Sequence, residues 1–114
     1  MKIKLTSVMV DDQDKALRFY TEVLGFAKRR DFPVGEYRWI SLISPQGYPD
    51  VELALEPNAN PAGRAFQAAM FEQGIPIAAF EVADVREEFR RLKAHGVVFS
   101  CEPTQAGAIP TPST

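Results

Sequence analysis

The sequence predicts an α+β domain made of two related modules side by side, each presenting a curved sheet, and three observations carry that prediction. A strand, an aspartate-capped helix, a glycine stop and a further strand occur twice: Val10-Asp11-Asp12, Leu17, Tyr20 and Gly25-Phe26 are echoed by Val82-Ala83-Asp84, Phe89, Leu92 and Gly96-Val97. The offset is 72 residues at the caps, Asp12 and Asp84, and 71 at the glycines, Gly25 and Gly96. Three strand-like runs follow the first helix in succession. Finally, 114 residues, 46% of them hydrophobic, suffice for one core, since chains of roughly 100–150 residues usually fold as a single unit.

The first strand is expected over residues 3–10. Its alternation puts Ile3, Leu5, Ser7 and Met9 on one face and Lys4, Thr6, Val8 and Val10 on the other. Asp11 and Asp12 offer an N-cap, because a short carboxylate accepts bonds from the free N–H groups of a first helical turn. A helix over 13–24 follows, with Ala16, Leu17, Tyr20, Val23 and Leu24 at helical spacing and Gly25 as its stop. Strands over 26–32 and 37–44 are joined by the Pro33-Val34-Gly35-Glu36 turn, and a loop of turn formers spans 45–50. The strand over 51–56 alternates cleanly, with Val51, Leu53 and Leu55 on one face and Glu52, Ala54 and Glu56 on the other.

Asn60-Pro61 reads as N-cap and first position of a linking helix closed by Gly74, with Ala62, Phe66, Ala69 and Met70 as its apolar stripe. A buried strand is expected over 77–82. Asp84 with Glu87 three residues on forms a reciprocal cap for the last helix, which buries Val85, Phe89 and Leu92. Gly96 ends it, and a strand over 97–101 follows. From Pro103 on, three prolines and no charged residue describe an irregular tail, 103–114, that cannot be a central strand. The organisation is therefore one domain over 1–102, with modules at about 1–57 and 75–102 joined by the short helix 60–74.

Composition excludes several functions. Thirteen Lys+Arg against fifteen Asp+Glu leave a net charge of -2, with no basic excess to neutralise a phosphate backbone, so no nucleic-acid partner is expected. No apolar run approaches the ~20 residues that span a bilayer, and the opening MKIKLTSVMVDD lacks a signal-peptide layout. No membrane partner is expected, and the cytoplasm is the default location. The single cysteine, Cys101, rules out an intrachain disulfide or a CxxC site, and the single histidine, His95, rules out a two-histidine metal centre from one copy.

The run VMVDDQDKALRFYTEVLGF resembles the opening of vicinal-oxygen-chelate proteins: glyoxalase I, bleomycin-resistance proteins and extradiol dioxygenases. The resemblance continues through YRWISLISPQGYPDVELALEPN and IAAFEVADVREEFRRLKAHGVVF and covers about residues 1–102. It implies two βαβββ modules whose sheets curl around one cavity, commonly in dimers, with the second module here incomplete at the C-terminus. In metal-dependent relatives, histidines and glutamates on inner strand faces hold a divalent ion with open positions that polarise substrate oxygens. Carried over, the first-strand histidine falls on Leu5, the glutamate of VEL on Glu52, the fifth-strand histidine near Ile77, and the last glutamate on no residue of this sequence. Glu52 is the one candidate metal ligand, and a lone carboxylate is a poor anchor for a divalent ion. A cofactor is thus not expected, a divalent metal being the less favoured alternative.

The resemblance implies a protein that acts on or binds an unidentified small molecule without the usual two-histidine site. The alternatives are a metal-free ligand-sequestering protein of the bleomycin-resistance kind, or an inactive chain with a lost ending; if it is an enzyme, it is a lyase or dioxygenase relative. An exposed sheet edge predicts a homodimer, either closely packed or strand-exchanged. Glu52 has two readings from the residues alone. With Glu56 it forms a solvated strand face, or the pair lines a cavity in which one pKa rises to give a general base. His95 is read as a helix C-terminal residue, Cys101 as a packing residue at a strand end. Arg38 and Trp39 occupy opposite faces of one strand, where either can meet a ligand or the core.

Overall fold

A computed structural model of the chain describes residues 1–103 and 112–113. It is an α+β structure in two compact units, Met1–Ile75 and Pro76–Thr114. The remainder of the predicted tail, 104–111 and 114, lies outside the described residues.

The first unit is a complete βαβββ module. Strands β1 (Leu5–Val10), β2 (Ala27–Val34), β3 (Tyr37–Ile43) and β4 (Glu52–Pro57) form one sheet in the order β1-β4-β3-β2. β1 runs parallel to β4, and the other pairs are antiparallel. A parallel neighbour requires a crossover, and the helix between β1 and β2 supplies part of it. That helix, α1, begins at Gln13–Arg18 and widens into a π-turn over Phe19–Val23. Asp12 caps it, accepting from the Lys15 N–H at 3.0 Å. The Leu17 carbonyl accepts from the Thr21 hydroxyl at 2.7 Å, and the Leu24 N–H donates five residues back, to Phe19.

The alternation read from the sequence decides which sheet face is covered. Ile40, Leu42 and Leu55 are fully buried, and Val8, Val10, Ala16, Leu17, Tyr20 and Phe26 pack on them. Each of the three fully buried side chains contributes roughly 1.5–3 kcal/mol. Helix α1 therefore lies on one face, and Leu5, Ser7 and Met9 point to the other.

The β2–β3 hairpin is tighter than expected. Residues 33 and 34 belong to β2, and the turn is Gly35-Glu36 alone, with Gly35 at φ 60°. A two-residue hairpin demands positive φ at its first central residue, which glycine adopts at low cost. Pro33 is tolerated because β2 is an edge strand.

Helix α2 (Pro61–Glu72) starts at Asn60 as predicted, but turns a different face inward. Gly63, Gln67 and Met70 are half-buried, while Phe66 is 53% exposed and Ala62 and Ala69 face solvent. A Cβ on Gly63 would come 2.8 Å from Met9 Sδ, and Gln67 donates to the Met9 carbonyl at 2.8 Å. A close approach and a polar anchor to β1 set the rotation, and apolar periodicity reports neither.

The second unit contains α3 (Val85–Ala94), β5 (Val98–Phe99) and β6 (Pro112–Ser113). Asp84 caps α3 through the N–H groups of Arg86 and Glu87, both at 3.1 Å. The Glu87 carboxylate, expected to complete a reciprocal cap, pairs instead with Arg90 at 2.6 Å. Leu92 and Val97 are buried, and the Phe89 and Phe99 rings lie 4.7 Å apart. Val85 is exposed. β5 is shorter than expected and pairs antiparallel with β6, so two residues of the predicted irregular tail form a strand. Residues 77–82 form no strand, contrary to expectation; Ile77 is 49% exposed.

Candidate functional site

The hairpin turn fixes what stands side by side on the face opposite α1. From Val34 opposite Tyr37, the register places Phe32 opposite Trp39 and Arg30 opposite Ser41, with a bulge at Arg29. On the far side of β3, Ser41 stands opposite Ala54. β1 then adds Leu5 beside Glu52 and Met9 beside Glu56. This face carries an aromatic group, Phe32, Trp39 and Tyr37, next to a charged one, Arg30 and Glu52. The Phe32 and Trp39 rings stack at 6.5 Å, and Phe32, Val34 and Tyr37 remain exposed.

A concavity of about 340 Å³ lies where β3 and β4 part company, lined in part by Tyr37, Trp39, Ala54 and Glu56. The ladder between these strands is confined to Ser41–Ala54 and Leu42–Leu53. Beyond it, the Gln13 amide spans the gap. Its nitrogen donates to the carbonyls of Arg38 (2.7 Å) and Leu55 (2.9 Å), and its oxygen accepts from the Arg38 N–H (3.1 Å). One side chain from α1 thus stands in for missing ladder bonds and keeps the gap open.

Glu52 does not lie on a solvated face. It is only 5% exposed, and its Oε1 accepts from the Ser41 hydroxyl at 2.6 Å and from Arg30 Nε at 3.2 Å. The Ser41 hydrogen bond, aided by the charge of Arg30, holds its carboxyl below the usual range against the opposing effect of burial. Glu56 is exposed on the same strand face. The alternative reading, in which burial raises the pKa of a carboxylate here, does not describe Glu52, which shifts the other way.

Arg38 points away from Trp39, as the alternation requires. Its Nε and terminal nitrogen form a two-pronged pair with Asp31 at 3.0 and 2.7 Å, and it also meets Asp14. The guanidinium lowers the Asp31 pKa, and both carboxylates raise that of Arg38. This cluster ties the start of α1 to the hairpin. His95 is the exposed C-cap of α3, its backbone N–H donating to Arg91 and Leu92. Cys101 is exposed and lies past the end of β5, not at a strand end in packing.

The register brings the carried-over metal positions Leu5 and Glu52 side by side. They do not fit a divalent ion. Leu5 has no lone pair to offer, Ile77 has none either, and the Glu52 oxygen that would bind a cation already faces a guanidinium and a hydroxyl. Among the described residues no three of His, Cys, Asp or Glu gather in one place.

Sequence reasoning singled out Trp39 and Glu52 but not Arg30, Ser41, Phe32 or Gln13. The signal for the first three was present in the Gly35 hairpin, because a two-residue turn sets every pair behind it. Gln13 bears on strands 25 and 42 residues away, and no local pattern announces it.

The βαβββ unit and the matched run of sequence together define the class. The profile of the Glyoxalase/Bleomycin resistance protein/Dioxygenase superfamily matches residues 2–108, and the chain belongs to that superfamily. Among individual proteins, it is 50% identical over 109 residues to the uncharacterized protein YurT of Bacillus subtilis strain 168, covering 96% of this chain and 86% of YurT. The crystal structure of UcmS2 is 31% identical with a TM-score of 0.78, covering 93% of this chain and 83% of UcmS2. TnmS3, an antibiotic binding protein from Streptomyces sp. CB03234, is 26% identical with a TM-score of 0.71, covering 99% of this chain and 86% of TnmS3.

Proposed function

We propose that this chain is a metal-free small-molecule-binding protein that holds a planar apolar ligand against Phe32, Trp39 and Tyr37. The observation that carries the reading is the state of Glu52. Where metal-dependent relatives place a ligand carboxylate, this one is engaged by the Arg30 guanidinium and the Ser41 hydroxyl. What remains on the face is an exposed aromatic platform beside a concavity, and aromatic surfaces bind flat ligands through large contact area at low entropic cost. The likeness to TnmS3 supports a ligand of antibiotic type. The protein is proposed to work in the cytoplasm; no helix among the described residues is long and apolar enough to cross a membrane. A second copy is proposed as its partner.

The test uses the fact that Trp39 is the one tryptophan in the chain. Fluorine NMR of fluorotryptophan-labelled protein then reports the site alone. Bleomycin and 2-naphthamide, added with and without EDTA, are expected to shift that resonance equally in both conditions, and Trp39→Leu is expected to weaken binding by calorimetry. Binding that needs added divalent metal, or a resonance that no compound moves, would overturn the reading.

A further inference from the structure

We infer that Arg30 is a ligand-anchoring residue, and that the preferred ligand is a planar aromatic carboxylate whose rings lie on Phe32 and Trp39 while its oxyanion meets the Arg30 guanidinium. The inference rests on the binding reading above and adds the charge of the ligand to it.

The geometry supplies both halves. Arg30 and Phe32 are alternate residues of β2, so their side chains leave the sheet on the same face, adjacent along the strand. Trp39 and Ser41 stand opposite them in the same order. Arg30 spends only Nε on Glu52, reaching across the small Ser41. Among the described residues its two terminal nitrogens have no hydrogen-bond partner, and the side chain is half exposed. A guanidinium offers two parallel N–H donors that match a carboxylate edge. Its remaining edge is free to do so beside the aromatic pair.

Local charge points the same way. Glu52 is the buried carboxylate of this corner, while Arg29 and Arg30 both act on it electrostatically. Two guanidiniums against one carboxylate leave a positive surplus, although the whole chain carries -2. Arg29 holds the Pro49 carbonyl at 2.8 Å through one terminal nitrogen. Glu56 is exposed at the other end of the aromatic group, so the charge gradient along the face would orient a carboxylate toward Arg30.

The experiment compares three compounds of one shape by titration calorimetry: 2-naphthoate, neutral 2-naphthamide and cationic 2-naphthylmethylamine. The expected order is naphthoate first, about tenfold tighter than the amide, with the amine weakest. Arg30→Gln is expected to abolish the tenfold preference for naphthoate over the amide. Because that variant leaves Glu52 with only Ser41, the double variant Arg30→Gln, Glu52→Gln repeats the test with no unpaired buried charge. Circular dichroism checks that both are folded. Arg30→Lys, which keeps the charge but loses the fork, is expected to fall between wild type and Arg30→Gln.

If all three compounds bind alike, or the amine binds best, the charge assignment is overturned while the aromatic site stands. If none binds and the Trp39 resonance is unmoved, the site itself is wrong and the assignment falls with it. If none binds and Trp39→Leu converts a dimer to a monomer, the face belongs to a second copy, and the inference is again overturned.

Discussion

At the scale of the residue, Glu52 shows how a single side chain changes meaning between sequence and structure. Its place in the alternation of β4 was legible, and so was its match to a ligand position. Its burial was not, because that depends on Arg30 and Ser41 arriving from two other strands. The depressed pKa has a consequence for stability. A carboxyl whose folded pKa lies below its ordinary 4.5 stabilises the fold fully above that value and loses the contribution as pH falls through the folded value. Thermal unfolding of wild type and Glu52→Gln, followed from pH 7 to about 3, should therefore converge on the acid side. At neutral pH the wild type should be more stable by about 1–3 kcal/mol, the range for a buried charged group with hydrogen-bonded partners. A gap that stays constant with pH would mean that Glu52 titrates normally. Asp31 titrates in the same direction through Arg38, so Asp31→Asn serves as the comparison that isolates Glu52.

At the scale of the element, what could be read was whatever is written locally. Asp12, Asn60 and Asp84 each cap the helix that follows, and Gly25, Gly74 and Gly96 take positive φ where helices stop. These signals need only neighbours a few residues away. The inward face of α2 and the parting of β3 from β4 were hidden because each is decided by a contact from elsewhere: Met9 for α2, Gln13 for the strands. Gln13 makes the stronger test. Gln13→Ala removes the partners of three backbone groups at once, the Arg38 N–H and the Arg38 and Leu55 carbonyls. The expected loss is about 1–3 kcal/mol in urea unfolding, since water entering the gap recovers part of the bonding. An unchanged midpoint would show that β3 and β4 close onto each other without the amide, and the concavity beside Trp39 would then shrink as well. The same variant should thus weaken ligand binding at that face, which links the element to the site.

At the scale of the whole molecule, the internal repeat explains both what forms and what does not. In the first unit, β1 gains its neighbour from β4, with Leu5 beside Glu52. The repeat makes residues 77–82 the counterpart of β1. The repeat leads one to expect a strand over 77–82, yet among the described residues these form none. Ile75, Ile77, Phe80 and Val82 are left exposed in sequence order. Exposed apolar surface costs about 25 cal/mol per Å², so covering it favours association. The second copy proposed above would cover it through a two-fold contact. Light scattering at micromolar concentration should therefore give twice the 12.7 kDa of one chain. Ile77→Glu, which puts a charge in the middle of the segment, should shift the mass toward the single chain while leaving the first unit folded by circular dichroism. Hydrogen exchange gives an independent reading: amides of 77–82 should slow as the dimer forms, whereas those of Ile40, Leu42 and Leu55 are protected at every concentration by the core they build. A folded 12.7 kDa species with rapidly exchanging 77–82 amides at all concentrations would show that this segment is solvated as it stands.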